Sequence, residues 1–166
     1  MYCEIARKSV EEWVIHGKKY APEHEFKKEA ACFVTLHNRS GELRGCIGTL
    51  SPTKKDLAFE IAENARSSAT RDHRFLKVDE SELDQIVIEV SVLNEPEIIE
   101  KQSQLNPKVY GIVVEHQGRR GVLLPDLQGI TSIDHQITVA KQKAFISPKE
   151  SVKIWRFKVE KFREEI

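Results

Sequence analysis

The amino-acid sequence predicts an α+β fold built on a mainly antiparallel sheet. Pairs of β-like runs are joined by short turns, as in hairpins, and amphipathic helical segments separate those pairs. This order of elements, hairpin then helix then strand, occurs twice along the chain. Because hairpins join antiparallel strands, the pattern disfavours a parallel, Rossmann-like sheet.

In the first half of the chain, periodicity and breaks define each element. Apolar residues recur at helical spacing up to residue 20, and Pro22 follows. Residues 38–41 have turn chemistry and lie between two β-like runs, which predicts a hairpin. His24 lies in a polar connector that we expect to be solvated. The predicted elements are a helix over 2–20, strands over 31–37 and 43–50, a helix from Ser51-Pro52-Thr53 to about Arg71, and a strand over 86–93.

The second half repeats this order. Its predicted elements are strands over 109–115 and 119–124, a helix opened by Thr131 and Asp134 as a capping box, and a final strand over 152–159. An Arg-Gly pair falls on the second hairpin arm each time, at Arg44-Gly45 and Arg120-Gly121. This suggests an internal duplication, with chance recurrence of one dipeptide as the alternative.

The repeat predicts that both Arg-Gly hairpins belong to one sheet. At 166 residues the chain suits a single domain over 1–166, or two closely packed subdomains of about 1–95 and 96–166.

Composition excludes several classes of protein. The chain balances 26 Lys and Arg against 26 Asp and Glu, so no overall field attracts nucleic acid or an anionic membrane. Without a membrane-length apolar run or a signal pattern, the sequence predicts a cytoplasmic protein. Cys3, Cys32 and Cys46 lack metal-type or redox-pair spacing, which fits a reducing compartment. The histidines are scattered, so we predict no metal site and no cofactor.

The chain is organised around the stretch Leu43-Arg44-Gly45-Cys46-Ile47-Gly48-Thr49-Leu50. Glycine inside a strand usually marks a bulge, or a place where a ligand or another segment approaches the main chain. Strand alternation puts Arg44, Cys46 and Gly48 on one face, so Arg44 and Cys46 should be neighbours.

Four segments together resemble the AMMECR-one domain family, in particular its bacterial and archaeal branch called AmmeMemoRadiSam system protein A. They are Cys32 to Leu36, Leu43 to Thr49, the Asp72-His73-Arg74-Phe75 loop, and Arg120 to Leu127. The resemblance covers about residues 3–160. It implies a barrel-like sheet built from two related halves and a cleft lined by Arg44 to Gly48. It also implies partnership with a MEMO-like protein and a radical SAM protein. His73 replaces the proline usual in the family's loop.

The candidate site residues each have two interpretations. Arg44 is either a clamp for a carboxylate or phosphate, helped by the backbone N–H groups of Gly45 and Gly48, or half of an internal ion pair with Asp72 or Glu89. Cys46 is either a nucleophile activated by the neighbouring guanidinium or a small core residue.

The loop after the second helix has the same ambiguity. Asp72 and Arg74 form either a second wall of the cleft or a solvated loop that Phe75 anchors in the core.

Three functions follow, in order of preference. The favoured one is an accessory protein whose cleft around Arg44 to Gly48 binds an anionic small molecule or a partner's acidic segment. The alternative is an enzyme that uses Cys46 as a nucleophile or acid/base on a small metabolite. An RNA-binding module is least favoured, because the net charge is zero and no stacking motif is present.

Overall fold

The computed structural model describes residues 1–23 and 25–165, so His24 lies outside the described residues. The helices are α1 (Tyr2–His16), α2 (Leu57–Thr70) and α3 (Ile133–Lys143). The strands are β1 (Cys32–Asn38), β2 (Leu43–Gly48), β3 (Ile86–Leu93), β4 (Glu97–Ile98), β5 (Gly111–His116), β6 (Arg119–Leu123), β7 (Lys153–Phe157) and β8 (Val159–Arg163). Two short 3₁₀ helices span Glu80–Gln85 and Gln102–Gln104. No described helix is long and apolar enough to cross a membrane.

The first compact unit comprises residues 1–92 and the segment from Glu160 onward. Its antiparallel sheet has the strand order β2-β1-β3-β8. Helix α2 packs on β1 and β2, and α1 packs on α2. Alternate residues of β1, including Val34 and Leu36, are fully buried in a core shared with α2. Strand alternation therefore turns Thr35 toward the face of the sheet opposite α2.

The second unit comprises Leu93–Val159 and has its own core. Its antiparallel sheet has the order β4-β7-β5-β6, and α3 packs on β5 and β6. Both units thus place the first arm of their hairpin in the centre of the sheet. The second arm lies on one side, and the strand that follows the helix lies on the other.

The same packing contact occurs inside each unit at a matching position. In the β1–β2 pair Leu36 faces Gly45, and in the β5–β6 pair Val114 faces Gly121. A Cβ atom added to Gly45 or Gly121 would lie closer than 3.0 Å to a carbonyl oxygen of α2 or α3 respectively. Each glycine therefore lets a helix backbone approach the second hairpin arm.

A second pair of contacts follows the same correspondence. The side-chain amide of Asn64 in α2 donates to the Cys32 carbonyl at 3.0 Å, and that of Gln136 in α3 donates to the Tyr110 carbonyl at 2.8 Å. Each acceptor lies four residues before the glycine-facing residue of its central strand. The repeated contacts support the duplication that the Arg-Gly pairs suggested.

Several sequence predictions need correction. The described strands form two four-stranded sheets and not one barrel-like sheet, so the prediction that both Arg-Gly hairpins share a sheet is wrong. Helix α1 ends at His16 because Gly17 adopts the left-handed conformation that closes helices. Helix α2 begins after its cap Asp56, and α3 is capped by Ser132, not by Thr131.

Candidate functional site

The glycines of β2 serve internal packing. Gly45 is buried against the Ser68 carbonyl of α2, and a Cβ on Gly48 would collide with the ring of Phe33 on the paired strand. The hydroxyl of Ser68 also accepts a hydrogen bond from the Ile47 backbone at 2.9 Å. The close approach that the sequence pattern indicated is therefore made by α2 and β1.

Arg44 forms a bidentate ion pair with Glu82 of the first 3₁₀ helix. Its Nε and Nη2 atoms donate to the two carboxylate oxygens at 2.6 and 2.8 Å, and Nη1 donates to the Leu76 carbonyl at 3.0 Å. These hydrogen bonds lower the pKa of Glu82. The partner is thus neither Asp72 nor Glu89, and an internal carboxylate occupies the guanidinium fork.

Asp72, Arg74 and Cys46 lie together at the outer edge of β2. Asp72 is buried, and its carboxylate accepts from the Cys46 backbone N–H at 2.9 Å and from Nε and Nη2 of Arg74 at 2.9 and 2.7 Å. The hydrogen bonds from Arg74 are the main reason that the pKa of Asp72 lies well below its usual range. Because β2 is an edge strand, the loop covers part of that edge.

The sulfur of Cys46 lies on the sheet face opposite α2. Thr35 Oγ1 is 3.3 Å from Sγ, and strand pairing places Cys46, Thr35 and Glu89 in one row across β2, β1 and β3. Burial raises the pKa of the thiol, while the Thr35 contact and Arg74 lower it less. The net shift is opposite to the one expected for a thiol activated by a guanidinium.

His37 of β1 and His73 of the Asp72-to-Phe75 loop are the histidines to consider as a base for Cys46. His73 is exposed on its loop, and His37 Nδ1 is buried with no hydrogen-bond partner among the described residues. Among the described residues, neither the His73 nor the His37 imidazole is hydrogen-bonded to the sulfur of Cys46.

Phe75 lies beside two cations and is only half buried. The guanidinium carbons of Arg44 and Arg74 lie 5.9 and 5.5 Å from its ring centroid. The next side chain, Leu76, is 89% exposed. The loop and the neighbouring Arg44 of β2 thus bring together an aromatic ring, two guanidinium groups and an exposed leucine on one stretch of surface. We call it the Arg44–Leu76 surface (Arg44, Arg74, Phe75 and Leu76).

A model of the AMMECR1 family matches residues 3–162. The chain belongs to the AMMECR1 family. A relative from Thermotoga maritima is 45% identical over 98% of this chain and 97% of its own length. A relative from Clostridium acetobutylicum is 36% identical over 98% of this chain, which spans 36% of that relative's length. The crystal structure of an uncharacterised protein from Pyrococcus horikoshii has a TM-score of 0.88 and 31% identity, covering 99% of this chain and 90% of the other.

Several residues that shape the site in this AMMECR1 domain were not identified from the sequence. They are Glu82, Thr35 and Ser68, together with Glu60, which is buried and accepts hydrogen bonds from Thr49, Thr53 and Lys54. A carboxylate among the apolar positions of α2 was a usable signal, because a buried charge needs partners. Glu82 had a signal as well, since Asp79 and Glu82 form a capping box.

A large cavity in the first unit lies away from this motif. It measures about 830 Å³ and is lined by α1, the start of β3 and the C-terminal segment, not by Arg44 to Gly48. Among residues 1–23 and 25–165, no three His, Cys, Asp or Glu side chains are grouped so that they could hold a metal ion.

Proposed function

We propose that this AMMECR1 chain is an accessory binding protein whose Arg44–Leu76 surface docks an acidic segment of a partner protein beside an apolar anchor. The observation that carries this proposal is the position of Leu76. Its backbone carbonyl accepts a hydrogen bond from Arg44, yet its side chain is 89% exposed. Together with the Phe75 ring beside it, Leu76 gives this surface an apolar anchor next to two guanidinium groups, which a partner protein could cover.

The open part of the Arg74 guanidinium is the feature of this surface that favours an acidic partner. Arg44 and Arg74 are fixed by internal carboxylates, so their orientation needs little further ordering on binding. The side chain of Arg74 is 48% exposed, which leaves part of its guanidinium open to a partner's carboxylate. Aromatic residues, phenylalanine included, and arginine are both enriched at protein–protein interfaces.

A docking role agrees better with the site than chemistry at Cys46 does. The Cys46 thiol has a raised pKa and no hydrogen-bonded base among the described residues. An anionic small molecule remains the other occupant that the Arg44–Leu76 surface suggests. Leu76 favours the protein segment, because a small anion gains nothing from an exposed leucine.

The resemblance to the AmmeMemoRadiSam system protein A branch supplies the partners to test. We propose that the segment belongs to the MEMO-like protein or to the radical SAM protein of the same organism. The experiment measures binding of each purified protein to the wild-type chain by biolayer interferometry. Leu76→Ser and Arg74→Ala should each weaken binding by about ten- to hundredfold if they are central to the interface.

Two matched variants control for general effects. Arg71→Ala removes an arginine whose side chain is 64% exposed and lies three residues from Arg74, and Leu127→Ser removes an exposed leucine of the second unit. Both should leave the affinity unchanged within about twofold. The proposal would be contradicted if neither protein bound the wild-type chain. It would also be contradicted if Leu76→Ser and Arg74→Ala left the affinity unchanged. Saturable binding of a small carboxylate or phosphate that only Arg74→Ala weakens would favour the small-molecule occupant.

A further inference from the structure

A separate cavity of about 290 Å³ lies in the first unit between α1 and α2. At its base the hydroxyl of Ser9 in α1 donates to the Ala62 carbonyl of α2 at 2.6 Å, so the two helix backbones are held close. The volume is near the lower end of the range for small-molecule sites, about 300–1,000 Å³. None of its lining residues belongs to the Arg44–Leu76 surface.

The cavity contains an arginine that is only 4% exposed, Arg66. Its guanidinium lies over the indole of Trp13 at 4.8 Å, and Nη2 donates to the carboxylate of Glu63. A guanidinium is rarely buried to this extent unless its donors are satisfied.

Two donor atoms of Arg66 have no hydrogen-bond partner among the described residues. Among residues 1–23 and 25–165, neither Nε nor Nη1 makes a hydrogen bond. Within the same described residues, the side-chain nitrogen and oxygen atoms that are fully enclosed and lack a hydrogen-bond partner are His37 Nδ1 and Gln136 Oε1. The two Arg66 nitrogens are therefore not enclosed, and we infer that they open into the cavity that Arg66 lines.

The rest of the lining matches an anion that carries a flat apolar group. Lys19 and Lys54 are exposed at the cavity, and Glu63, already paired with Arg66, is its acidic lining residue. Tyr20 and Phe59 are half buried there and supply aromatic surface. The cavity therefore has three cations against one carboxylate.

We propose that this cavity binds a small molecule bearing a phosphate on an aromatic body. Glu63 takes one hydrogen of Nη2, so one complete edge of the Arg66 guanidinium, Nη2 with either Nε or Nη1, stays open. This edge receives two phosphate oxygens, since a planar fork matches that geometry. Lys19 and Lys54 add charge at the rim, and the aromatic body lies against Tyr20 and Phe59. This site is independent of the partner-docking role proposed above.

The test uses phenyl phosphate as the probe, with inorganic phosphate and phenol as separate arms. Binding is measured by calorimetry and by the fluorescence of Trp13 in a Trp155→Phe background, because Arg66 stacks on Trp13 and no other tryptophan then remains. We expect saturable binding of phenyl phosphate, about tenfold weaker binding of inorganic phosphate, and none of phenol. The Trp13 fluorescence should reach half of its change at the same phenyl phosphate concentration as the heat of binding.

Variants distinguish the cavity from general attraction to a basic surface. Arg66→Lys keeps the charge but loses the fork, and should weaken binding by about ten- to hundredfold. Lys54→Gln should weaken it by about two- to fivefold. Lys55→Gln is the matched control, since Lys55 is exposed and adjacent but does not line the cavity.

The outcomes separate clearly. Equal weakening by Lys54→Gln and Lys55→Gln, or no saturation at about 10 mM phenyl phosphate, overturns the proposal. Should Arg66→Lys fail to fold, the contrast between Lys54→Gln and Lys55→Gln and the Trp13 signal still decide. Tight binding of inorganic phosphate with no gain from the phenyl group would overturn the aromatic part of the proposal.

Discussion

Arg44 and Glu82 are separated by 38 residues in sequence, yet both carboxylate oxygens of Glu82 accept hydrogen bonds from one Arg44 guanidinium. The pair joins the edge strand β2 to the 3₁₀ helix Glu80–Gln85, and the same arginine holds the Leu76 carbonyl. Arg44 thus connects β2, the 3₁₀ helix Glu80–Gln85 and the backbone of Leu76 through hydrogen bonds. Its first role is structural, and its contribution to the Arg44–Leu76 surface depends on that role.

Arg44→Ala should therefore destabilise the fold. It leaves Glu82 half buried and unpaired, and we expect a loss of roughly 1–3 kcal/mol in the free energy of unfolding, between the values for exposed and buried pairs. Thermal or urea unfolding measures this without any ligand. The internal repeat supplies the control, because Arg120 occupies the matching position but pairs with Glu115 on the surface. Arg120→Ala should cost less than roughly 1 kcal/mol, and equal costs would contradict the structural role.

Asp72 should make the stability of the protein depend on pH in the acid range. The pKa of its carboxyl in the folded chain lies well below the ordinary value of 3.8, chiefly because of hydrogen bonds from Arg74. Between these two pKa values the unfolded chain binds one more proton, so stability falls as the pH falls. Above about pH 5 the contribution is fully present.

Asp72→Asn tests this dependence. The difference in unfolding free energy between wild type and Asp72→Asn should stay constant from pH 7 to about 5 and shrink below about 4. Urea unfolding at a series of pH values gives that difference. In an Arg74→Ala background the same substitution should have a smaller effect, since the two residues form one pair. A difference that does not vary with pH would contradict the low pKa.

Local pattern predicted the helices and hairpins of the fold but not how the strands are divided between sheets. The segment predicted as one final strand over 152–159 becomes β7 of the second sheet, and β8 of the first sheet follows it. Periodicity reports which face of a strand is buried, whereas the choice of a neighbouring strand depends on contacts between residues far apart in sequence. That is why the antiparallel character was predicted correctly while the single barrel-like sheet was wrong.

The unusual residues of the candidate motif could be recognised from the sequence, but their contacts could not. The sequence marked Arg44 and Gly45 as unusual, but the partner of Arg44 lies in a polar segment where many acidic residues are equivalent by pattern. The role of Gly45 depends on the carbonyl of Ser68 in α2, which only the packed structure brings near. A glycine predicts a close approach without naming the group that approaches.

The matching glycines give a test of the repeated packing. Gly45→Ala and Gly121→Ala each place a Cβ against a helix carbonyl, and we expect each to cost roughly 2–4 kcal/mol because backbone must move. Gly118→Asn is the control: its side chain meets open space, and asparagine tolerates the left-handed conformation of that residue. It should cost less than roughly 1 kcal/mol, and unfolding curves of the three variants measure the contrast.

Cysteine alkylation decides whether Cys46 retains a chemical role. Burial raises the pKa of all three thiols, and that of Cys32, which is fully buried, reaches about 12. Cys32 should therefore label only after unfolding. Cys46 should label more slowly at neutral pH than a free small-molecule thiol, with a rate that keeps rising above pH 9 as the thiolate forms.

Mass spectrometry of peptides labelled with iodoacetamide gives each rate, and Cys46→Ser verifies the assignment of the peptide. Arg74→Ala should slow the labelling of Cys46 further, because the Arg74 charge lowers the thiol pKa. The matched variant Arg71→Ala should leave the rate unchanged, since the exposed Arg71 side chain lies beside Glu63. If Cys46 instead reacts faster than the free thiol at pH 7, the thiolate is stabilised by something beyond these contacts. The enzyme hypothesis would then displace the docking function as the better account of β2.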